Sequence, residues 1–367
     1  MKGHGGDIYA ASRELGISAD AVLDFSASIN PLGVPKSVRD AIIAHLGRLR
    51  HYPDPSSVEL TQEIARSTGI APEHIICGNG STELIYLAAR SLQPKRVLMP
   101  SPTFSEYGKA VILSQKAEVG SRKSRPRAIQ GNEETIIHFS LTEKNNFKLD
   151  ADAFIDGIKK SRAEMAFICN PNNPTGGTIR KPDMLRIIGA SGECGCVLVV
   201  DEAFIDFIPR ESVIRSVLSN PHLIVLRSLT KFYALSGLRI GYAVIHPDIR
   251  GAFLRFKEPW TVNTLAQVAG TAALRDAAYG KKTFEVLKEE RRYLEKEFRR
   301  LGIEHYPSRV NFYLLRPGNT DIVSTLRTKG ILVRDCSNFA GLDSSYIRIA
   351  VRSRKENRRL LRELENL

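Results

Sequence analysis

The chain has 367 residues, 43% of them hydrophobic and 25% charged, with a formal net charge of +13 and a pI near 9.6. That is the composition of a globular protein long enough for a large core and more than one domain, and no apolar run approaches the ~20 residues of a membrane span. The basic surplus raises nucleic acid as a partner, but no zinc-finger, RRM or KH signature is present, and the basic residues of 288–300 and 352–362 alternate with Glu at helical spacing, as on solvated, salt-bridged faces.

The N-terminus, His4-Gly5-Gly6-Asp7, carries no apolar signal core. Leu23-Asp24-Phe25-Ser26-Ala27-Ser28-Ile29-Asn30-Pro31 and His51-Tyr52-Pro53-Asp54-Pro55 follow; read alone, His4 is a loose terminal residue and Tyr52 a turn tyrosine. From about residue 56 to 245, strand-like runs alternate with helical patterns. This predicts an α/β domain with a mostly parallel sheet. Ile75-Ile76-Cys77-Gly78-Asn79-Gly80-Ser81-Thr82 reads as strand, glycine loop, helix. The N–H groups of Gly80, Ser81 and Thr82 then face an anion at the helix N-terminus, although no Walker Gly-Lys-Ser/Thr follows. Phe104, in Pro102-Thr103-Phe104-Ser105-Glu106-Tyr107, is by itself equally a core residue. Residues 114–134, basic and glycine-containing, read as a surface excursion, with an anion-binding loop as the alternative.

Three further segments carry the chemistry. Phe167-Ile168-Cys169 runs into Asn170-Pro171-Asn172-Asn173-Pro174-Thr175-Gly176, where the Asn173 amide can donate to a phenolate oxygen. Val197-Leu198-Val199-Val200 is a buried-type strand ending on Asp201. Leu223-Ile224-Val225-Leu226 leads into Ser228-Leu229-Thr230-Lys231, with Arg239 eight positions after the lysine. Taken singly, Lys231 is a surface lysine and Asp201 a helix cap. Together they are what pyridoxal phosphate (PLP) requires: an amine for its aldehyde, a carboxylate for its pyridine nitrogen, and Ser228, Thr230 and Arg239 for its phosphate. No metal site is expected: Cys194 and Cys196 lack a matching second pair or a His cluster, and five cysteines without CxxC suit a reducing compartment, the cytoplasm. Downstream, a long amphipathic helix over 281–301 precedes strands at 311–315, 331–334 and 346–349. Arg334 and Arg348 lie on the latter two, either as surface arginines paired with carboxylates or as a bidentate clamp for one dianion.

Asn-Pro-x-Asn-Pro-Thr-Gly, Asp-Glu-Ala-Phe and Ser-Leu-Thr-Lys, in this order, resemble the fold-type I, aspartate-aminotransferase-like PLP enzymes. The resemblance implies a phosphate cup at Gly80, Ser81 and Thr82 and a ring-stacking role for Phe104. It also implies a homodimer with shared active sites, in which Tyr52 reaches the cofactor phosphate of the other subunit. It divides the chain into a large domain, 46–260, and a small domain made of 1–45 and 261–367. Within that group, His4-Gly5-Gly6, the 23–33 segment, Asp201-Glu202-Ala203-Phe204-Ile205-Asp206 and Gly341-Leu342-Asp343-Ser344-Ser345-Tyr346 resemble the threonine-phosphate decarboxylase family of cobalamin biosynthesis. The implied activity is decarboxylation of threonine phosphate to (R)-1-aminopropan-2-yl phosphate, with His4, Arg334 and Arg348 on substrate phosphate and Ser28 and Asn30 nearby. Two departures matter. Ser28 stands where the family has Asn, which leaves the preferred substrate open. Phe204 stands where related aminotransferases place a tyrosine at the cofactor, and that loss is expected to separate decarboxylation from transamination. The alternative is a histidinol-phosphate aminotransferase, which would use the same cofactor residues. A phosphorylated amino acid is the expected partner, with neither membrane nor nucleic acid.

Overall fold

The computed structural model describes residues 4–116, 135–318 and 321–366. After a two-residue strand, β1 (Leu23–Asp24), come seven that form one sheet: β2 (Ile75–Asn79), β3 (Val97–Ser101), β4 (Ile136–Ser140), β5 (Met165–Cys169), β6 (Val197–Asp201), β7 (Leu223–Ser228) and β8 (Ile240–Ile245). Their order is β2-β8-β7-β6-β5-β3-β4, and only β8 runs against its neighbours. The central strands are apolar along their whole length because both faces are covered. Leu198 and Val200 of β6 and Val225 of β7 face one core; Val199, Ile224 and Leu226 face the other. This two-residue alternation sandwiches the sheet between helices. It also brings the carboxyl ends of β5, β6 and β7 to one edge, with Cys169 opposite Asp201 and Asp201 opposite Leu226. In open α/β sheets, ligands bind at that edge.

A second sheet contains β9 (Glu304–His305), β10 (Phe312–Arg316), β12 (Arg334–Asp335) and β13 (Ile347–Ala350), in the order β12-β13-β10-β9; β11 (Ile331–Leu332) instead pairs parallel with β1. The run 331–334, expected as one strand, therefore divides at Val333. The first half bonds to the N-terminal segment, the second to β13. Phe25 joins the two sheets, donating its N–H to Leu332 O at 2.8 Å and accepting from Ala350 N at 2.8 Å. The long helix begins at Ala277, four residues before the expected start, because Asp276 caps it by accepting from Tyr279 N. Its apolar stripe (Leu287, Leu294, Phe298) packs with Phe312, Leu360 and Leu361. The basic faces carry ion pairs such as Arg354–Glu290 and Arg300–Glu365, as the charge pattern predicts. Of the basic 114–134 segment, 117–134 lies outside the described residues, and no helix among those described is long and apolar enough to cross a membrane.

Candidate active site

A cavity of about 440 Å³ opens at the carboxyl edge of the large sheet. Asp201, the last residue of β6, forms one end. It is 3% exposed, and burial pushes its carboxyl up to about 6, against hydrogen bonds from Tyr107 Oη (2.7 Å) and Ala203 N (3.0 Å) and the charge of Lys231. Lys231 sits in a single helical turn, Leu229–Phe232, that starts where β7 stops. Ser228 caps the turn, its hydroxyl 2.7 Å from that of Thr230. Burial, with the charges of Arg348 and Arg239, lowers the Lys231 amine to about 8. An amine poised there is a competent nucleophile near neutral pH.

The helix Gly80–Leu92 points its N-terminus at the same space. Its cap residue, Asn79, supplies no side-chain bond, so the first N–H groups stay open to an anion. Gly80 has φ +76°, and a Cβ there would lie 2.6 Å from Arg239 Nη2. Only glycine lets Arg239 cross the helix terminus at this distance. Ser81, Thr82, Ser228, Thr230 and Arg239 all line the cavity.

The facing wall is built by the smaller sheet and the N-terminal segment. β12 and β13 place Arg334 and Arg348 directly opposite one another, each 7% exposed. Like charges in that position destabilise a strand pair. Burial lowers the pKa of both, and for Arg348 the charge of Arg334 acts in the same direction. Arg227, also buried but on β7 of the large sheet, is paired with Glu202 and Asp206. Arg334 and Arg348 instead donate to uncharged oxygens: Arg334 to Asp335 O and Asn338 Oδ1, Arg348 to Asn173 Oδ1 and Ser26 O. Arg348 Nε and the hydroxyl of Ser28, a residue 1% exposed, have no hydrogen-bond partner among the described residues. Two adjacent guanidiniums with a spare N–H and a spare hydroxyl are a dianion site by chemistry.

Most of the residues singled out in the sequence meet here: His4, Ser28, Phe104, Asn173, Phe204, Arg334 and Arg348 line the cavity together with Asp201 and Lys231. Two do not. Asn30 is turned away from it. Its amide donates to Phe232 O (2.7 Å) and Thr283 Oγ1 (2.8 Å), and its backbone N–H donates to Lys231 O, so it fixes the lysine turn rather than facing a ligand. Tyr52 is 81% exposed and stacks on Trp260, ring centroids 4.9 Å apart, outside the cavity of its own chain. Gly80 lies behind the lining, where it accommodates Arg239. Three residues escaped the sequence reading: Tyr107, which holds Asp201; Ser26, whose carbonyl receives Arg348; and Glu106, which bonds His4. Ser26 lies in the 23–31 segment and Glu106 and Tyr107 in the 102–107 segment, but nothing local marks which of those side chains turns inward.

The donor set fits PLP. A carboxyl pushed up by burial suits a protonated ring nitrogen. Asn173 suits a ring oxygen, Phe104 and Phe204 an aromatic face, and the helix terminus with Arg239 a phosphate.

The family model for aminotransferase class I and II matches residues 20–119 and 123–364. The chain is 41% identical to the threonine-phosphate decarboxylase of Salmonella typhimurium, over 99% of this chain and 96% of that one. It is 34% identical to the histidinol-phosphate aminotransferase of Thermoanaerobacter pseudethanolicus, over 93% and 92%. Among solved structures, the histidinol-phosphate aminotransferase of Clostridium acetobutylicum superposes with a TM-score of 0.83 at 29% identity, covering 94% of this chain and 98% of that one.

Proposed function

The chain belongs to the aminotransferase class I and II family, whose fold-type I architecture and PLP dependence it shares, and we propose that its reaction is decarboxylation of L-threonine O-3-phosphate to (R)-1-aminopropan-2-yl phosphate for cobalamin biosynthesis. The observation that carries this reading is the face-to-face pair Arg334 and Arg348, with His4 on the same wall. When bound, PLP supplies an aldehyde for the substrate amine and an electron sink for the α-carbon.

Each role then belongs to a residue. Asp201, held by Tyr107, would keep the ring nitrogen protonated. Ser81, Thr82, Ser228, Thr230 and Arg239 would hold the cofactor phosphate, Asn173 its ring oxygen, and Phe104 its face. Arg334, Arg348 and His4 take the substrate phosphate, with Ser28 donating beside them. With the guanidiniums engaged by phosphate, the substrate carboxylate would be free of an arginine clamp and could leave as carbon dioxide. The electron pair of the broken carbon–carboxylate bond remains with the amine product, and a proton takes the vacated position at the α-carbon. Lys231, with its amine lowered to about 8, is the residue suited to hold and return that proton. Phe204, packed edge-to-face on Phe312 at 4.9 Å, offers no phenol to the cofactor oxygen.

The working unit of this reading is a homodimer. Ile43, Leu49, Tyr52 and Trp260 are between 49% and 81% exposed, and the Tyr52–Trp260 stack is an apolar surface for a second copy, whose cavity Tyr52 would complete. The reading also keeps the division into a large domain, 46–260, and a small one, 1–45 with 261–367, and a cytoplasmic location, supported by five free cysteines. A second reading, histidinol-phosphate aminotransferase, is favoured by the structural match and by an arginine pair that would suit the phosphate of either substrate. Incubation of purified holoprotein with threonine phosphate, without any keto acid, separates the two. Carbon dioxide and the amino phosphate are expected; turnover of histidinol phosphate with 2-oxoglutarate, and none of threonine phosphate, overturns the proposal.

A further inference from the structure

Glu106 is an acid on the wall of a cavity whose other charged groups are mostly cationic. It is 8% exposed, at the start of the helix Glu106–Lys116. Burial pushes its carboxyl up, but hydrogen bonds from Lys109 (2.6 Å) and Tyr86 (2.7 Å) and the charges of Lys109 and His4 outweigh it and keep it ionised. A carboxylate so placed repels an anionic ligand. Its position needs another reason, and the geometry supplies one: Oε1 lies 2.9 Å from His4 Nε2.

His4 begins the arm that crosses the cavity. Gly5 lies so close to Ser26 that a Cβ would fall 2.2 Å from Ser26 O, the same oxygen that accepts from Arg348. Gly6 donates its N–H to Ser26 Oγ at 2.7 Å. The arm is thus fixed at one end to the guanidinium wall and at the other, among the described residues, by His4 to a helix of the large domain. His4, Gly5, Ser26 and Arg334 border both the active cavity and a second one of about 360 Å³, so the arm is the partition between them.

We propose that Glu106 is a positioning residue that anchors the N-terminal arm through His4, and that a phosphorylated substrate enters by exchanging His4 from the Glu106 carboxylate to its own phosphate. The substrate half of this statement rests on the function proposed above; the anchoring half does not. Glu106 holds the imidazole in place before the ligand arrives, and Lys109 and Tyr86 keep the carboxylate satisfied once His4 has moved.

The test uses holoprotein carrying Glu106→Ala, Glu106→Gln, His4→Ala or the double change Glu106→Ala/His4→Ala. For threonine phosphate, Glu106→Ala is expected to lower KM severalfold, because the bond that substrate must displace is gone, whereas His4→Ala should bind roughly tenfold worse than Glu106→Ala, the size of one lost charge-assisted hydrogen bond, with kcat within about twofold in each. The double variant should match His4→Ala, because without the imidazole Glu106 has nothing to release. Glu106→Gln, which still accepts a bond, should lie between Glu106→Ala and the parent. Hydrogen exchange of the Gly5 and Gly6 amides needs no turnover and should quicken in Glu106→Ala, while cofactor absorbance stays that of the parent. Multiplicative KM effects overturn the exchange step. Unchanged exchange at Gly5 and Gly6 overturns the anchor. Absence of decarboxylation with arm exchange that still responds to Glu106 fails the substrate reading and leaves the anchor standing.

Discussion

The two walls of the cavity are made in opposite ways. The cofactor wall comes from neighbouring strand ends and one helix terminus, and its polar groups already satisfy each other: Tyr107 holds Asp201, and Ser228 meets Thr230. The substrate wall gathers chain from positions 4, 28, 334 and 348, sets two arginines against each other, and leaves Arg348 Nε and Ser28 Oγ unspent. One wall closes its hydrogen bonds among its own side chains and carries its cost in one buried acid, Asp201. The other leaves donors open and sets like charges together, giving up stability for ligand affinity as functional sites commonly do.

Four experiments press on this contrast. The largest effect belongs to the cofactor wall: Lys231→Ala should cut activity by at least ~10³-fold, within the range of a lost acid–base group, and should abolish the cofactor adduct that borohydride traps on the parent chain, read by mass. Next is the cost of Asp201. Its folded pKa, about 6, lies above the ordinary 3.8, so the folded state holds the proton longer and loses stability as pH rises from about 4 to about 6. In the apoprotein, urea unfolding of the parent relative to Asp201→Asn should show a loss of about 3 kcal/mol across that window. In the holoprotein the ring cation should offset most of it. An equal loss in both forms would mean that Asp201 does not meet the cofactor.

The third and fourth experiments address the substrate wall. Arg348→Lys keeps the charge but not the planar fork, and should raise KM for threonine phosphate by roughly 10- to 100-fold while cofactor absorbance is unchanged. Arg334→Gln should raise KM too, yet raise folding stability by up to about 1 kcal/mol, because it relieves the opposed charges. A loss of stability instead would make this wall as self-sufficient as the other and erase the contrast.

The cofactor wall was largely legible in the sequence because each part is contiguous: an apolar run long enough for a buried strand, then the functional residue at its end, as at Asp201 and Lys231. Parts of the substrate wall were legible only through whole-motif resemblance, and the errors lie where local pattern carries no information. Residues 331–334 are uniformly apolar up to Arg334, so nothing marks Val333 as the point where hydrogen bonding passes from β1 to β13. Asn30 sits in a matching motif, but its amide is captured by Phe232 and Thr283, 202 and 253 residues away. Tyr107 and Asp201 are 94 residues apart, and His4 and Glu106 102. Such pairs arise only when the sheet order is known, and sheet order is not a local property of the chain.

The stitching of Phe25 between Leu332 and Ala350 sets a timetable for synthesis. Residues 75–245 contain every strand of the large sheet, so a chain emerging from a ribosome can assemble the PLP wall while its last ~100 residues are still unmade. The early segment around β1 must wait for the last strand before it finds its partners. A nascent polypeptide can therefore meet its vitamin before it can recognise the phosphorylated amino acid, and cofactor supply during translation becomes a variable in the yield of correctly closed enzyme.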